Sequence, residues 1–161
     1  MGIEIIKADL GNAAHAEALF ETLNTYASDA MGGGKALPQF VRENLAAELR
    51  KRPTAHVFLA FDGAAPAGLA TCIEGFSTFA CKPLLNIHDL AVMPAYRGQG
   101  IARRLLARVE EEARALGCCK ITLEVLEGNT VASALYRSCG FDGYELKPET
   151  GKAMFMHKVF A

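Results

Sequence analysis

The stretch "HDLAVMPAYRGQGIARRLL", residues 88–106, decides the fold. An extended apolar run stops before Pro94, passes Gly98 and Gly100 beside Arg97, and turns into a helical pattern. Reading forward, Ala102, Leu105, Leu106, Val109, Ala113 and Leu116 recur at helical spacing, which predicts one long helix from Gln99 to Leu116. Glu110 and Arg114 form a favourable pair on its wet face, and Gly117 supplies the left-handed residue that ends it. Reading backward, "LLNIHDLAV" (84–92) is a strand, and beyond the helix "CKITLEVLE" (119–127) is another. Together they make one β-α-β unit.

Outside that unit, "IEIIKADL" (3–10) reads as a first strand, and residues 13–27 and 38–50 as two amphipathic helices around a glycine-rich loop. "HVFLAFD", "GAAPAG" and "LATCIEGFSTF" read as a hairpin, residues 130–139 as a short helix, and "KAMFMHKVF" (152–160) as a closing strand. With no repeat or linker in 161 residues, a single domain over 1–161 of α/β class with a mixed sheet is expected. A net charge of −1 gives no general attraction to nucleic acid or anionic membrane. No apolar run approaches the roughly 20 residues of a membrane span, and the N-terminus lacks the build of a signal peptide. The five cysteines show no metal-type or redox spacing, so reduced thiols, a cytoplasmic setting and no metal are expected.

The glycine turn is suited to an anion. A helix N-terminus presents unpaired amides and about half a positive charge, and glycines at 98 and 100 leave those amides uncovered. The turn lacks the Lys-Ser/Thr pair of a Walker A loop. It carries Arg103 where the third glycine or alanine of a dinucleotide fingerprint belongs, and only one β-α-β unit is present. A ligand-free turn between strand and helix stays open on this stretch alone.

Two further patterns fit together. "RGQGIA" (97–102) resembles the Q/R-x-x-G-x-G/A motif of GNAT N-acetyltransferases. "EVLEGNTVASALYRSCGF" resembles that family's N-x-x-A-x-x-x-Y-x-x-x-G-F segment through Asn129, Ala132, Tyr136, Gly140 and Phe141. The resemblance implies a mostly antiparallel central sheet of about seven strands flanked by about four helices. It implies acetyl-CoA as cosubstrate, with the pyrophosphate on Arg97, Gly98, Gln99, Gly100, Ile101, Ala102 and Arg103. Leu90, Ala91 and Val92 would pair with pantetheine as an added strand does, next to Asn129 and Ala132. Tyr136 would protonate the leaving sulfur. The spacing from Asp89 to Tyr136 also resembles the diamine and polyamine branch, although His88 stands where that branch tends to carry glutamate.

Candidates for the base that deprotonates the amine are His88, Glu74, Asp89 and Glu124. Strand alternation would send His88 and Asp89 to opposite faces. Asp29, Glu74, His88 and Asp89 are the candidate contacts for a small cationic amine. Alternatives are a protein or peptide amine as acceptor, and a non-catalytic acyl-CoA sensor. A homodimer is a further expectation from the resemblance.

Overall fold

The computed structural model describes residues 2–161, which form two compact units, one ending at Leu123 and one running Glu124–Ala161. The first unit holds five strands in the order of the chain: β1 (Ile3–Lys7), β2 (Ala55–Asp62), β3 (Ala65–Ser77), β4 (Lys82–Val92) and β5 (Ile121–Leu123). Neighbours pair antiparallel except β4 and β5, which run parallel and are joined through a helix. The helices of this unit are α1 (Ala13–Ser28), α2 (Gln39–Arg50) and α3 (Ile101–Ala115).

Both faces of the sheet are covered, which is why β2 reads as a continuous apolar run rather than an alternating one. Val57, Leu59 and Leu69 turn to one face and pack with Ala18 and Leu19 of α1. Phe58 turns to the other, where the Arg108 guanidinium of α3 lies 4.9 Å from its ring centroid. α3 buries Leu105, Leu106, Val109 and Ala113 of the stripe read from the sequence, together with Ile101 rather than Ala102, and Leu116 stands at its C-cap. Each large side chain of that stripe contributes about 1.5–3 kcal/mol of gross hydrophobic stabilisation, before ordering entropy. The Asn12 side chain accepts from the amides of Ala14 and His15 and starts α1. Gly117, at φ 72°, ends α3 in the left-handed region, with the Cys118 amide bonded back to Ala113.

The second unit holds α4 (Thr130–Ser138), whose N-terminus is capped by the Asn129 side chain accepting from Ala132 N at 3.2 Å. Gly140, at φ 91°, lets the chain turn back so that Phe141 meets Tyr136 edge to face, with centroids 5.9 Å apart.

The expected sheet of about seven strands is corrected to five. The segment 119–127 pairs only over Ile121–Leu123, because its ladder with β4 ends at Ile87. The apolar segment 152–160 has strand composition but no ladder; its one pairing is the isolated Glu145–Lys152 bridge, and Met154, Phe155 and Phe160 are exposed. Composition nominates a strand, whereas a partner edge makes one.

Candidate functional site

The decisive local feature is a break in the β3–β4 ladder. Thr71 lies opposite Asp89, but its neighbour Cys72 lies opposite Ile87, so His88 is an extra residue with no partner on β3. Such a bulge reverses the parity of every residue beyond it. Asn86, opposite Ile73, and Asp89, opposite Thr71, therefore point to the same face. His88 joins them: its Nδ1 contacts Asn86 Oδ1. The alternation argument that put His88 and Asp89 on opposite faces fails here, because it assumed an unbroken pleat.

On this face Asp89 accepts from the Thr71 hydroxyl, which is almost fully buried. Asn86 Nδ2 donates to Thr122 Oγ1 at 2.9 Å and ties β4 to β5 at the last rungs of their ladder. Past Ile87 the parallel ladder stops, and β4 runs on through Leu90, Ala91 and Val92 with only β3 beside it among the described strands. Tyr26 stands near the end of α1, its hydroxyl 3.5 Å from Met31 O. Its phenol is pushed above the ordinary tyrosine value, first by burial and then by the charges of Asp89 and Asp29.

β4 leads through a short 3-10 turn (Pro94–Tyr96) into the mouth of α3. Gly98 and Gly100 both have φ 77°, a left-handed conformation that a side chain would strain. A Cβ built at either would meet nothing within 4 Å, so the space above the turn is open. No side chain caps α3, and its first backbone bond is Arg104 N to Gly100 O. Among the described residues no backbone carbonyl accepts from the amides of Gly98 through Ala102. Open, unpaired donors at the positive end of a 15-residue helix fit a diphosphate. The turn's own cation is engaged elsewhere: Arg97 Nε donates to Val92 O at 3.2 Å, and its Nη2 reaches Asp29 Oδ2 at 2.6 Å.

The remaining site candidates are dispersed. Glu74 is separated from His88 and Asp89. It lies on the α3 face of the sheet, where its Oε2 is 3.6 Å from Nε2 of buried His56, whose other ring nitrogen is 3.6 Å from Glu112 of α3. Glu112 also accepts from Lys7 at 2.5 Å, and that bond first, with Lys7, Arg108 and His56 nearby, holds its carboxyl below the usual range despite burial. Asn129, Ala132 and Tyr136 belong to the second unit, where Asn129 and Ala132 are joined through the α4 cap. Among the described residues no cluster of acidic, histidine or cysteine side chains is arranged to hold a metal ion.

Residues 17–141 match the Acetyltransferase (GNAT) family. The chain belongs to that family. Among curated GNAT relatives it is 36% identical over 96 residues to a thialysine N-epsilon-acetyltransferase of Caenorhabditis elegans, covering 58% of this chain and 59% of that protein. It is 38% identical over 87 residues to the N-alpha-acetyltransferase RimI of Mycobacterium tuberculosis, 53% of each chain. The matched segment spans about half the length of these relatives. The fold is similar to a crystal structure described as a probable acetyltransferase, with a TM-score of 0.81, 21% identity and coverage of 98% and 99% of the two chains.

Within this GNAT frame, the sequence reading missed three residues. Thr71 orients Asp89, Tyr26 feels the charge of the same carboxylate, and Gly68 lets the backbone of β4 and the first turn of α3 come close to β3. Gly68 reads from the sequence as the last residue of the GAAPAG turn, whereas it lies inside β3, where a glycine marks close approach of another backbone. Thr71 and Tyr26 read as ordinary strand and helix residues.

Proposed function

We propose that the protein transfers the acetyl group of acetyl-CoA to a primary amine of a small, cationic molecule by direct attack while both are bound. The observation that carries this reading is the run of unpaired amides at the mouth of α3, following directly on a β4 edge that β5 leaves free. Gly98, Gln99, Gly100, Ile101, Ala102 and Arg103 would hold the diphosphate, with Arg97 as the added cation. Leu90, Ala91 and Val92 would pair with the pantetheine arm as an extra strand, and Asn129 and Ala132 would bind beside it. The coenzyme supplies an activated thioester; the chain's own groups orient the amine, take its proton and neutralise the departing sulfur.

For the base, the geometry favours His88 over Glu74. A positioned base gives about 10²–10⁴ in rate, and His88 shares its face with Asp89, while Glu74 is turned toward His56. Tyr136 would donate to the sulfur, a role resting on its motif. Asp29 and Asp89 give the acceptor side its negative charge, which suits an ammonium. The name of the thialysine N-epsilon-acetyltransferase relative points the same way, and the N-alpha in the name of RimI keeps an α-amine, the protein or peptide alternative, as the second acceptor class. A cytoplasmic setting and a homodimer belong to the same proposal.

The test is thiol release from acetyl-CoA with a panel holding thialysine, lysine, spermidine, an aminoglycoside and a peptide with a free N-terminus. Turnover with a small diamine supports the reading, and turnover with the peptide alone moves the acceptor class. Coenzyme binding without turnover on any amine replaces the enzyme with a sensor.

A further inference from the structure

Arg97 is the first residue of the glycine-turn motif, yet its guanidinium is engaged by groups outside the turn. One nitrogen is anchored on the carbonyl of Val92, and another reaches the carboxylate of Asp29, ten residues ahead of α2 in the loop that follows α1. Both side chains are only half-buried, at 52% and 42% exposure, so neither is locked by packing and the contact can open at little cost. A carboxylate and a phosphate oxygen present the same forked acceptor geometry to arginine. The Asp29 carboxylate thus occupies the place on Arg97 that a diphosphate needs.

The pair also fastens the loop between α1 and α2. That loop is also held by its own backbone bonds, Gly32 N and Gly34 N to Asp29 O at 2.9 Å, and by bonds to α1: Lys35 N to Ala27 O at 3.1 Å, the Tyr26 hydroxyl to Met31 O at 3.5 Å and Leu37 N to the Asn24 side chain at 2.7 Å. Gly33 and Gly34, at φ 111° and 73°, give it freedom to move once the clasp is released.

We propose that Asp29 is an internal competitor for the coenzyme: it holds Arg97 in the coenzyme-free protein, and the diphosphate displaces it and so releases the α1–α2 loop on the acceptor side. This rests on the acetyl-CoA reading above. Two consequences set it apart from a simple surface ion pair. Removing the carboxylate should tighten coenzyme binding, although a binding-site charge has been altered. Coenzyme should also loosen one segment while protecting another, opposite to the general rigidification a ligand brings.

The experiment uses the full chain and titrates CoA calorimetrically into the wild type, Asp29→Asn and Asp29→Glu, with pantetheine, which lacks the diphosphate, as the control. Asp29→Asn should lower the CoA Kd about two- to fivefold, the equivalent of one exposed ion pair. Asp29→Glu should restore the wild-type value, and pantetheine should bind all three alike. Hydrogen exchange on the wild type should then show CoA slowing residues 97–104 and speeding residues 30–35. An unchanged or raised CoA Kd in Asp29→Asn, or CoA protecting residues 30–35, overturns the proposal. Wild-type protein that does not bind CoA overturns the acetyl-CoA reading itself, a result visible before any variant is made.

Discussion

Gly68→Val tests whether the coenzyme mouth is built by close packing of three backbones. Gly68 pairs with Val92 on β4, and a Cβ placed on it falls 2.9 Å from Ala91 O, 3.2 Å from Leu105 Cδ1 and 3.4 Å from Ile101 Cγ2. The carbonyl cannot swing aside as a side-chain end can, so β4, α3 or both must shift. Overpacking of this kind costs about 1–3 kcal/mol, and valine, with two methyl groups beyond the Cβ, belongs at the upper end. Loss of glycine's freedom in the unfolded chain returns about 0.4–1 kcal/mol, leaving a net destabilisation of about 2 kcal/mol. At about 2–4 °C per kcal/mol for a chain of this size, the Tm should fall by about 4–8 °C. The displaced atoms belong to Ala91 and Ile101, so kcat/KM for acetyl-CoA should fall by about tenfold, since a misplacement near 1 Å can cost about 10²-fold. Calorimetry and the thiol-release assay read the two effects, with Gly143→Val as the control because a Cβ there meets nothing within 4 Å. A Gly68→Val protein with the wild-type Tm and full kcat/KM would refute the close-packing account.

Glu112→Gln should cost about 1–2 kcal/mol at pH 7, because it strips Lys7 and Arg108 of their shared carboxylate. The native carboxyl is held below the ordinary value, so its contribution is present above about pH 4.3 and disappears as pH falls through the lowered native pKa. Urea melts at pH 7 and in strong acid should therefore show the gap between wild type and variant closing; a gap that widens in acid would reverse the assignment. Thiol labelling of the folded protein should modify exposed Cys81 and Cys119 first. Cys72 should stay unlabelled until denaturant is added, since burial first, with Asp89 and Glu112 nearby, pushes its thiol up to about 12. Rapid labelling of Cys72 in the native state would show that the sheet opens there. Tyr136→Phe should lower kcat by about 10²-fold with an unchanged circular dichroism spectrum, and retention of full activity would remove its acid role.

The elements that bury a strong stripe were legible in the sequence. α3 starts and stops where Gly100 and Gly117 punctuate it, and Glu110–Arg114 forms the expected pair at 2.6 Å. α1, α2 and the β2–β3 hairpin followed from periodicity and turn residues. Hydrophobic period reports what is buried and says little about pairing. That is why 152–160, apolar and β-prone, could be read as a strand although no edge receives it. The separation of Glu74 from His88 and Asp89 was hidden for a related reason: its face follows from register, and the partner that defines that face, His56, lies on another strand. The open glycine turn was readable because its geometry is local, carried by glycines and a helix end within a few residues.

The bulge at His88 shows where local reading must fail and why the failure falls at the site. No glycine or proline marks it; "NIHDLAV" is an ordinary strand sequence, and the extra residue exists only relative to Thr71 and Cys72 on β3. Yet its effects are those the proposed chemistry needs. It brings a histidine and an aspartate, adjacent in sequence, to one face, which a regular pleat forbids. It also sits immediately past Ile87, the last rung between β4 and β5, so backbone groups beyond it on that side lack a strand partner. A few residues later the amides at the mouth of α3 are likewise unpaired. Unsatisfied backbone groups are normally eliminated, because each costs free energy comparable to a lost hydrogen bond. Two such runs between His88 and Ala102, in which Arg97 Nε takes Val92 O, make sense as donors and acceptors kept free for a long ligand that is strand-like at one end and anionic at the other.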